Sequence, residues 1–171
     1  MPPELRAAAG HGITLRPMTD GDLPFVAALY ASTREAELEP TGWPPEMRAA
    51  FLAQQHDAQH RHYRAAYTDA EWLIVERGGE PVGRLYLAQW PGEVRVVDIS
   101  LVAGARGAGL GRALLEDVIA MAAIGGRKVS IHVEAHNPAR RLYERLGFRL
   151  AEDKGVYLLM ERPPDGAGAP S

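Results

Sequence analysis

Cysteine is absent from this 171-residue chain. Its absence removes disulfides, thiolate metal sites and a cysteine nucleophile together. No apolar run approaches the roughly 20 residues needed to span a bilayer, so no membrane crossing is expected. An excess of basic charge is missing too: 19 Lys and Arg stand against 22 Asp and Glu, a formal net charge of −3. That balance predicts no bulk attraction to nucleic acid. Lysine is scarce, with only Lys128 and Lys154. The arginines that replace it accompany abundant Ala, Gly and Pro, a bias of genome base composition, so their number carries no functional weight. The opening MPPELRAAAGHG lacks a basic start followed by an apolar core. No secretory signal is read there, and a cytoplasmic protein is expected.

What is present suits one folded domain. Apolar residues make up 46% and charged residues 24%, ordinary values for a globular chain long enough to bury a core. Residues 1–12 read as a flexible lead and residues 163–171, PPDGAGAPS, as a disordered tail. Between them, Ile13 to Arg16 alternates as a first strand. Thr19, Asp20 and Asp22 offer caps for a helix with Leu23, Val26, Ala27 and Tyr30 on one face. Residues 32–43 read as a loop around Pro40 and Gly42. Pro44-Pro45 opens a second helix to about Tyr67, with a thin apolar face of Met47, Phe51, Leu52, Ala58 and Tyr63.

From Glu71 the period becomes two. Trp72 to Val75 and Pro81 to Trp90 flank a Gly78-Gly79 hairpin turn, and Val94 to Val102 is a third strand. Leu110, Leu114, Leu115, Val118 and Met121 recur at helical spacing up to Gly125-Gly126. Lys128 to Glu134 alternates again. Asn137-Pro138 starts a last helix ending at Gly147, and two strands follow around the Asp153-to-Gly155 turn. No internal repeat or linker divides the chain. The order β-α-α-β-β-β-α-β-α-β-β describes an α+β layered fold.

The most informative stretch is VRVVDISLVAGARGAGLGR, Val94 to Arg112. A strand breaks into a glycine-rich turn that opens a helix. Arg106, Gly109 and Gly111 form an R-x-x-G-x-G pattern. Such a turn leaves backbone N–H groups facing outward at a helix N-terminus, where the dipole favours negative charge. That is a cradle for a diphosphate, with Arg106 and Arg112 as added cations. A dinucleotide fingerprint needs different glycine spacing, and a P-loop needs Gly-Lys-Ser/Thr where Leu110-Gly111-Arg112 stands. The plainer reading of the turn is a strand–helix connection that uses glycine for close packing.

Three segments together resemble the GNAT N-acetyltransferases: Ile99 to Leu115, the strand Val129 to Glu134 with Asn137, and NPARRLYERLGF from Asn137 to Phe148. The element order matches over residues 13–162, read as one domain. The resemblance implies a mixed, twisted, mostly antiparallel sheet of six to seven strands with about four helices. It also implies splayed fourth and fifth strands that hold acetyl-CoA between them. One departure is that Ala103, Gly104 and Ala105 stand where members often carry Pro and an acidic or aromatic residue. That makes the loop more flexible but leaves its N–H donors.

The resemblance implies an acetyl-CoA-dependent transfer to an amine by direct attack, and it assigns roles by position. Arg106, Gly107, Ala108, Gly109, Leu110, Gly111 and Arg112 would hold the diphosphate. Ile99, Leu101 and Val102 would pair with the pantetheine arm, with Asn137 and Tyr143 also lining the cofactor groove. Tyr143 would serve as general acid. Glu134, then His132, then Asp98 are the candidates for general base. No metal is expected: His56-Asp57-Ala58-Gln59-His60 mimics H-E-x-x-H, yet Asp is a methylene shorter than Glu and no third ligand is evident. Two solvated histidines are expected there instead. The expected partners are an amine acceptor and, as the commonest assembly of such enzymes, a second copy of the chain. A catalytically inactive acyl-CoA-binding sensor or subunit is the alternative to an enzyme, and a nucleotide-binding regulatory domain is a further rival.

Overall fold

The Gly78-Gly79 signal sets the first hairpin. Both glycines take positive φ, 62° and 80°, the backbone that a two-residue primed turn requires. The computed structural model describes residues 1–164. In chain order the elements are β1 (Ile13–Pro17), α1 (Leu23–Leu38), α2 (Pro45–Ala66), β2 (Glu71–Arg77), β3 (Glu80–Trp90) and β4 (Glu93–Leu101). They continue with α3 (Leu110–Ile124), β5 (Lys128–Glu134), α4 (Arg140–Arg145), β6 (Arg149–Asp153) and β7 (Tyr157–Arg162). One seven-stranded sheet runs β1-β2-β3-β4-β5-β7-β6. Every neighbouring pair is antiparallel except β4 and β5, which are parallel.

That parallel pair is short. Glu93 to Val96 oppose Lys128 to Ile131 and the pairing stops there. On the other side of β4, Leu87 opposes Val96 but Tyr86 opposes Asp98. Val97 is therefore an extra residue in β4. A bulge of this kind bends its strand and raises the local twist. Beyond it, Asp98 to Leu101 remain paired to β3, while β5 runs on to Glu134 against β7. The two strands part and leave a wedge-shaped gap.

Alternation sends the two sides of each strand to different layers. Leu85, Leu87, Val94, Val96, Val129, Ile131 and Val133 join Leu114, Leu115 and Val118 of α3, with Tyr143 and Phe148, in the main core. Arg84, Tyr86, Asp98 and Ser100 lie on the opposite face, where α2 meets them through Gln59 and Tyr63. Arg16 fixes the start of α1. Its guanidinium makes paired 2.7 Å bonds to Asp22 and a 2.8 Å bond to Glu76, tying β1, α1 and β2 together. Arg16 also holds the Asp22 carboxyl well below the usual carboxylate range.

Five local expectations need correction. The loop expected over 32–43 is helical as far as Leu38. No breaker precedes Pro40, and Arg34 pairs with Glu37 one turn on. The covered face of α2 matches its apolar residues only in part: Leu52 is buried, but Met47 is half exposed, Ala58 is exposed and His56 is buried beside Leu52. His56 packs against the Tyr30 ring at 5.6 Å, so it is not a solvated histidine. The last helix begins at Arg140 rather than at Asn137-Pro138, because residues 135–139 form turns. The lead is also anchored. The amides of Arg6, Ala7 and Ala8 donate to Asp117 of α3 at 3.1, 2.9 and 2.9 Å, and Ala8 is fully buried. Asp117 is an acid inside an apolar helix face, kept there by three backbone donors. The tail expected at 163–171 falls mainly on residues 165–171, outside the described residues.

Hydrogen bonds to a charged group contribute about 1.5–3 kcal/mol each, and undocked amides regain water. Asp117→Ala is expected to lower stability by about 2–3 kcal/mol in urea unfolding. Amide exchange should accelerate at residues 6–8; unchanged exchange there would refute the anchoring role.

Candidate active site

β4 delivers the chain to a turn built for exposed amides. After Leu101 and Val102, residues Ala103–Ala105 form one 3-10 turn with Ala105 buried. The Ala-Gly-Ala departure thus gives a folded turn. Gly107 and Gly109 follow at φ 81° and 82°, a conformation that carries no side-chain penalty only for glycine. Arg106 N–H still bonds Ala103 O at 3.2 Å, and the first bond of α3 is Ala113 N–H to Gly109 O at 3.0 Å. The amides of Leu110, Gly111 and Arg112 precede the helix ladder and, with those of Gly107, Ala108 and Gly109, surround the positive end of α3.

The side chains around the turn have local jobs. Leu110 is buried in the core. Arg106 Nε bonds Leu101 O at 2.9 Å, and Arg112 Nε bonds Glu116 at 2.8 Å. Gly111 lies against the end of β4, with Leu101 Cδ1 3.9 Å from where a Cβ would stand.

The gap itself has a polar edge. Val102 N–H donates to Val82 O at 2.8 Å, toward β3. Strand alternation then turns the amides of Leu101 and Ile99 away from β3, into the gap beyond the last β4–β5 pair. Gly83 is needed opposite them: a Cβ there would stand 2.4 Å from Ser100 O and 2.7 Å from Leu101 Cδ2. Two strand amides and a nest of loop amides fit a long ligand that has an amide-bearing arm and a diphosphate.

Tyr143 stands on α4 with its ring 5.9 Å from Phe148. Burial, and then the charge of Asp98, push its hydroxyl up to about 12, so it is protonated at neutral pH. Asn137 spends its side-chain oxygen on Ala139 N–H at 2.9 Å and turns the chain from β5 into α4.

The three carboxylate and histidine candidates differ in commitment. Glu134 is bonded to Arg34 of α1 at 2.6 Å, and that guanidinium also reaches Glu37 at 3.2 Å. His132 Nε2 lies 3.4 Å from Lys154 Nζ. Burial, with Arg95 and Lys154 nearby, lowers its pKa, so its ring is neutral at pH 7. Asp98 is held from four directions by Arg84 (twice), Ser100 and Tyr63. The motif reading did not find Arg34, Arg84 or Ser100. Arg84 carried a signal: a single arginine inside the apolar run Val82 to Ala88 requires a buried partner. It is 2% exposed.

Among the described residues, no group of three or more His, Cys, Asp or Glu side chains gathers to hold a metal. None of their helices is long and apolar enough to cross a membrane.

A family model described as "Acetyltransferase (GNAT) family" matches residues 30–148. The mycothiol acetyltransferase of Corynebacterium glutamicum (strain R) is 36% identical over 118 residues. That alignment covers 67% of this chain and 39% of that protein, so the chain spans about two-fifths of that curated relative. The PaiA N-acetyltransferase of Thermoplasma acidophilum, solved with coenzyme A, superposes with TM-score 0.67 at 14% identity. The superposition covers 88% of this chain and 98% of that one. A GNAT acetyltransferase of Elizabethkingia anophelis with acetyl-CoA bound gives TM-score 0.57 at 20% identity, over 89% and 98%. With the motif pair, the parted strands and the family model in agreement, this chain belongs to the GNAT acetyltransferase family.

Proposed function

We propose that residues 13–162 form an acetyl-CoA-dependent N-acetyltransferase that acts on a primary amine by direct attack on the thioester. One observation carries the reading: the gap that opens between β4 and β5 after Val97, with the Gly107-to-Arg112 amides at its mouth. When bound, acetyl-CoA supplies an acyl group already activated as a thioester. The loop amides hold its diphosphate. The Ile99 and Leu101 amides orient the pantetheine arm and polarise the acyl carbonyl; loss of one such donor costs about 2.7–4 kcal/mol of barrier lowering. With no cysteine in the chain, no cysteine acyl-enzyme is needed. Tyr143, protonated at neutral pH, gives the departing sulfur its proton.

The acceptor enters from the α1–α2 side. Tyr30, Arg34 and Tyr63 stand on those helices, and Asp98, Ser100 and Glu134 come from the sheet. Glu134, first in the sequence ranking of bases, is satisfied by Arg34 and serves better to shape the acceptor site than to take a proton. His132 retains a neutral ring and remains a base candidate.

The test is a panel of amines followed by release of free CoA thiol, beside calorimetry with acetyl-CoA. Binding with turnover of at least one amine supports the proposal. Tight binding without turnover of any amine supports the acyl-CoA sensor instead.

Two variants separate binding from chemistry. Gly109→Val forces a β-branched residue into positive φ and is expected to weaken CoA binding at least tenfold in calorimetry. Wild-type affinity would remove the loop from the site. Tyr143→Phe is expected to keep acetyl-CoA affinity and to lower kcat by about 10²-fold or more. Unchanged turnover would take Tyr143 out of the reaction.

A further inference from the structure

The carboxylate of Asp98 is the most heavily engaged group on the acceptor side of the gap. Arg84 Nε and Ser100 Oγ donate to Oδ1 at 3.2 and 2.8 Å. Arg84 Nη2 and the Tyr63 hydroxyl donate to Oδ2 at 2.8 and 3.2 Å. A carboxylate offers about four lone-pair sites, and this set fills them. An incoming ammonium therefore finds no vacant site on Asp98. Two of the donors are hydroxyls, and a hydroxyl that gives its proton away keeps lone pairs of its own. Ser100 is the better placed of the two. It stands on β4 between Ile99 and Leu101, whose amides face the gap, and its bond to Asp98 is the shorter.

We propose that Ser100 takes the proton of the acceptor ammonium while passing its own hydroxyl proton to Asp98, a relay that rests on the acetyltransferase reading above. One N–H bond of the ammonium breaks as an O–H bond forms at Ser100 Oγ. The original Ser100 O–H bond breaks as one forms at Asp98 Oδ1. An ammonium and a carboxylate become a neutral amine and a carboxylic acid, and the amine lone pair is free to attack. Arg84 Nη2 on Oδ2 keeps the carboxyl plane fixed during the exchange.

The surroundings of Asp98 suit a proton terminus. The titratable or charged groups facing it are Arg84 and Tyr86 from β3, His56 and Tyr63 from α2, and Tyr143 from α4. Burial lowers the pKa of His56, with Arg84 acting in the same direction, so it does not compete for protons at neutral pH. The Asp98 charge is also one cause of the raised Tyr143 hydroxyl. Protonating Asp98 removes that cause and makes Tyr143 a stronger acid when the sulfur departs. Deprotonation of the amine and protonation of the leaving group are thereby linked across the gap.

The experiment is the pH dependence of kcat/KM for wild type, Ser100→Ala and Ser100→Thr, with acetyl-CoA and either n-butylamine or spermidine as acceptor. An alkylamine has a pKa of about 10.4. Above it the amine arrives neutral and needs no relay. Ser100→Ala is expected to lose about 10²-fold at pH 7, the lower range of general-base contributions. The loss should shrink as pH approaches the amine pKa, and Ser100→Thr, which keeps the hydroxyl, should recover most of the activity. Asp98→Asn should show the same pH-dependent loss; it leaves Arg84 without its charge partner, so the two serine variants carry the test if it does not fold. A Ser100→Ala loss of constant size from pH 7 to 10, or no loss, overturns the relay and leaves the acetyltransferase reading standing. A wild-type protein that binds acetyl-CoA but turns over these two amines and every other amine of the panel at no measurable rate overturns both.

Discussion

A single extra residue in one strand governs the architecture of the site. Val97 bulges out of the β3–β4 ladder, and the parallel pairing of β4 with β5 ends at the position before it. In an unbroken sheet the β4 amides at Ile99 and Leu101 would be spent on β5. Parted from it, they remain donors with a direction fixed by the Val102–Val82 bond. An amide edge inside a folded protein carries a desolvation penalty unless it finds a partner. The gap is therefore a built demand for a hydrogen-bonding ligand. Under the proposed function the glycine turn at its mouth would serve a phosphate in the same way.

The two faces of the sheet divide the labour. The α3 side is apolar and rigid, and it holds the loop through Leu110 and Ala105. The α1–α2 side is polar and interlocked: Arg84, Asp98, Ser100, Tyr63 and Gln59 form one hydrogen-bonded group beneath α2. A buried ion pair of this sort adds little net stability, but removing one partner is expensive, about 3–5 kcal/mol. Its value is orientation. It fixes the residues that an acceptor would meet at one residue's distance from the amides that face the gap.

Much of this was legible in the chain itself. Glycine pairs, strand alternation and the R-x-x-G-x-G turn gave the order of every element, and β5 was read to the residue at both ends. Tyr143 was assigned from the family resemblance, six residues after Asn137. The errors have physical sources. α1 outran its expected end because residues 32–38 contain no breaker, and polar composition alone does not end a helix. The covered side of α2 was read only in part, because its covered stripe includes His56 and Gln59 beside Leu52 and Tyr63. Such positions pattern as surface until their partner, Arg84, is in place. Asp117 and its three amide donors were invisible for the same reason. A bulge leaves no signature in composition, so the parting of β4 and β5 came from the family resemblance and its cause only from the register.

The central claim is that the edge of β4 beyond Val97 and the loop amides grip coenzyme A. Hydrogen exchange of the backbone amides, followed residue by residue with and without acetyl-CoA, tests it most directly. The account predicts slowed exchange at Ile99, Leu101 and Gly107 to Arg112 in the presence of acetyl-CoA. Exchange at those amides that stays the same with saturating acetyl-CoA would contradict it.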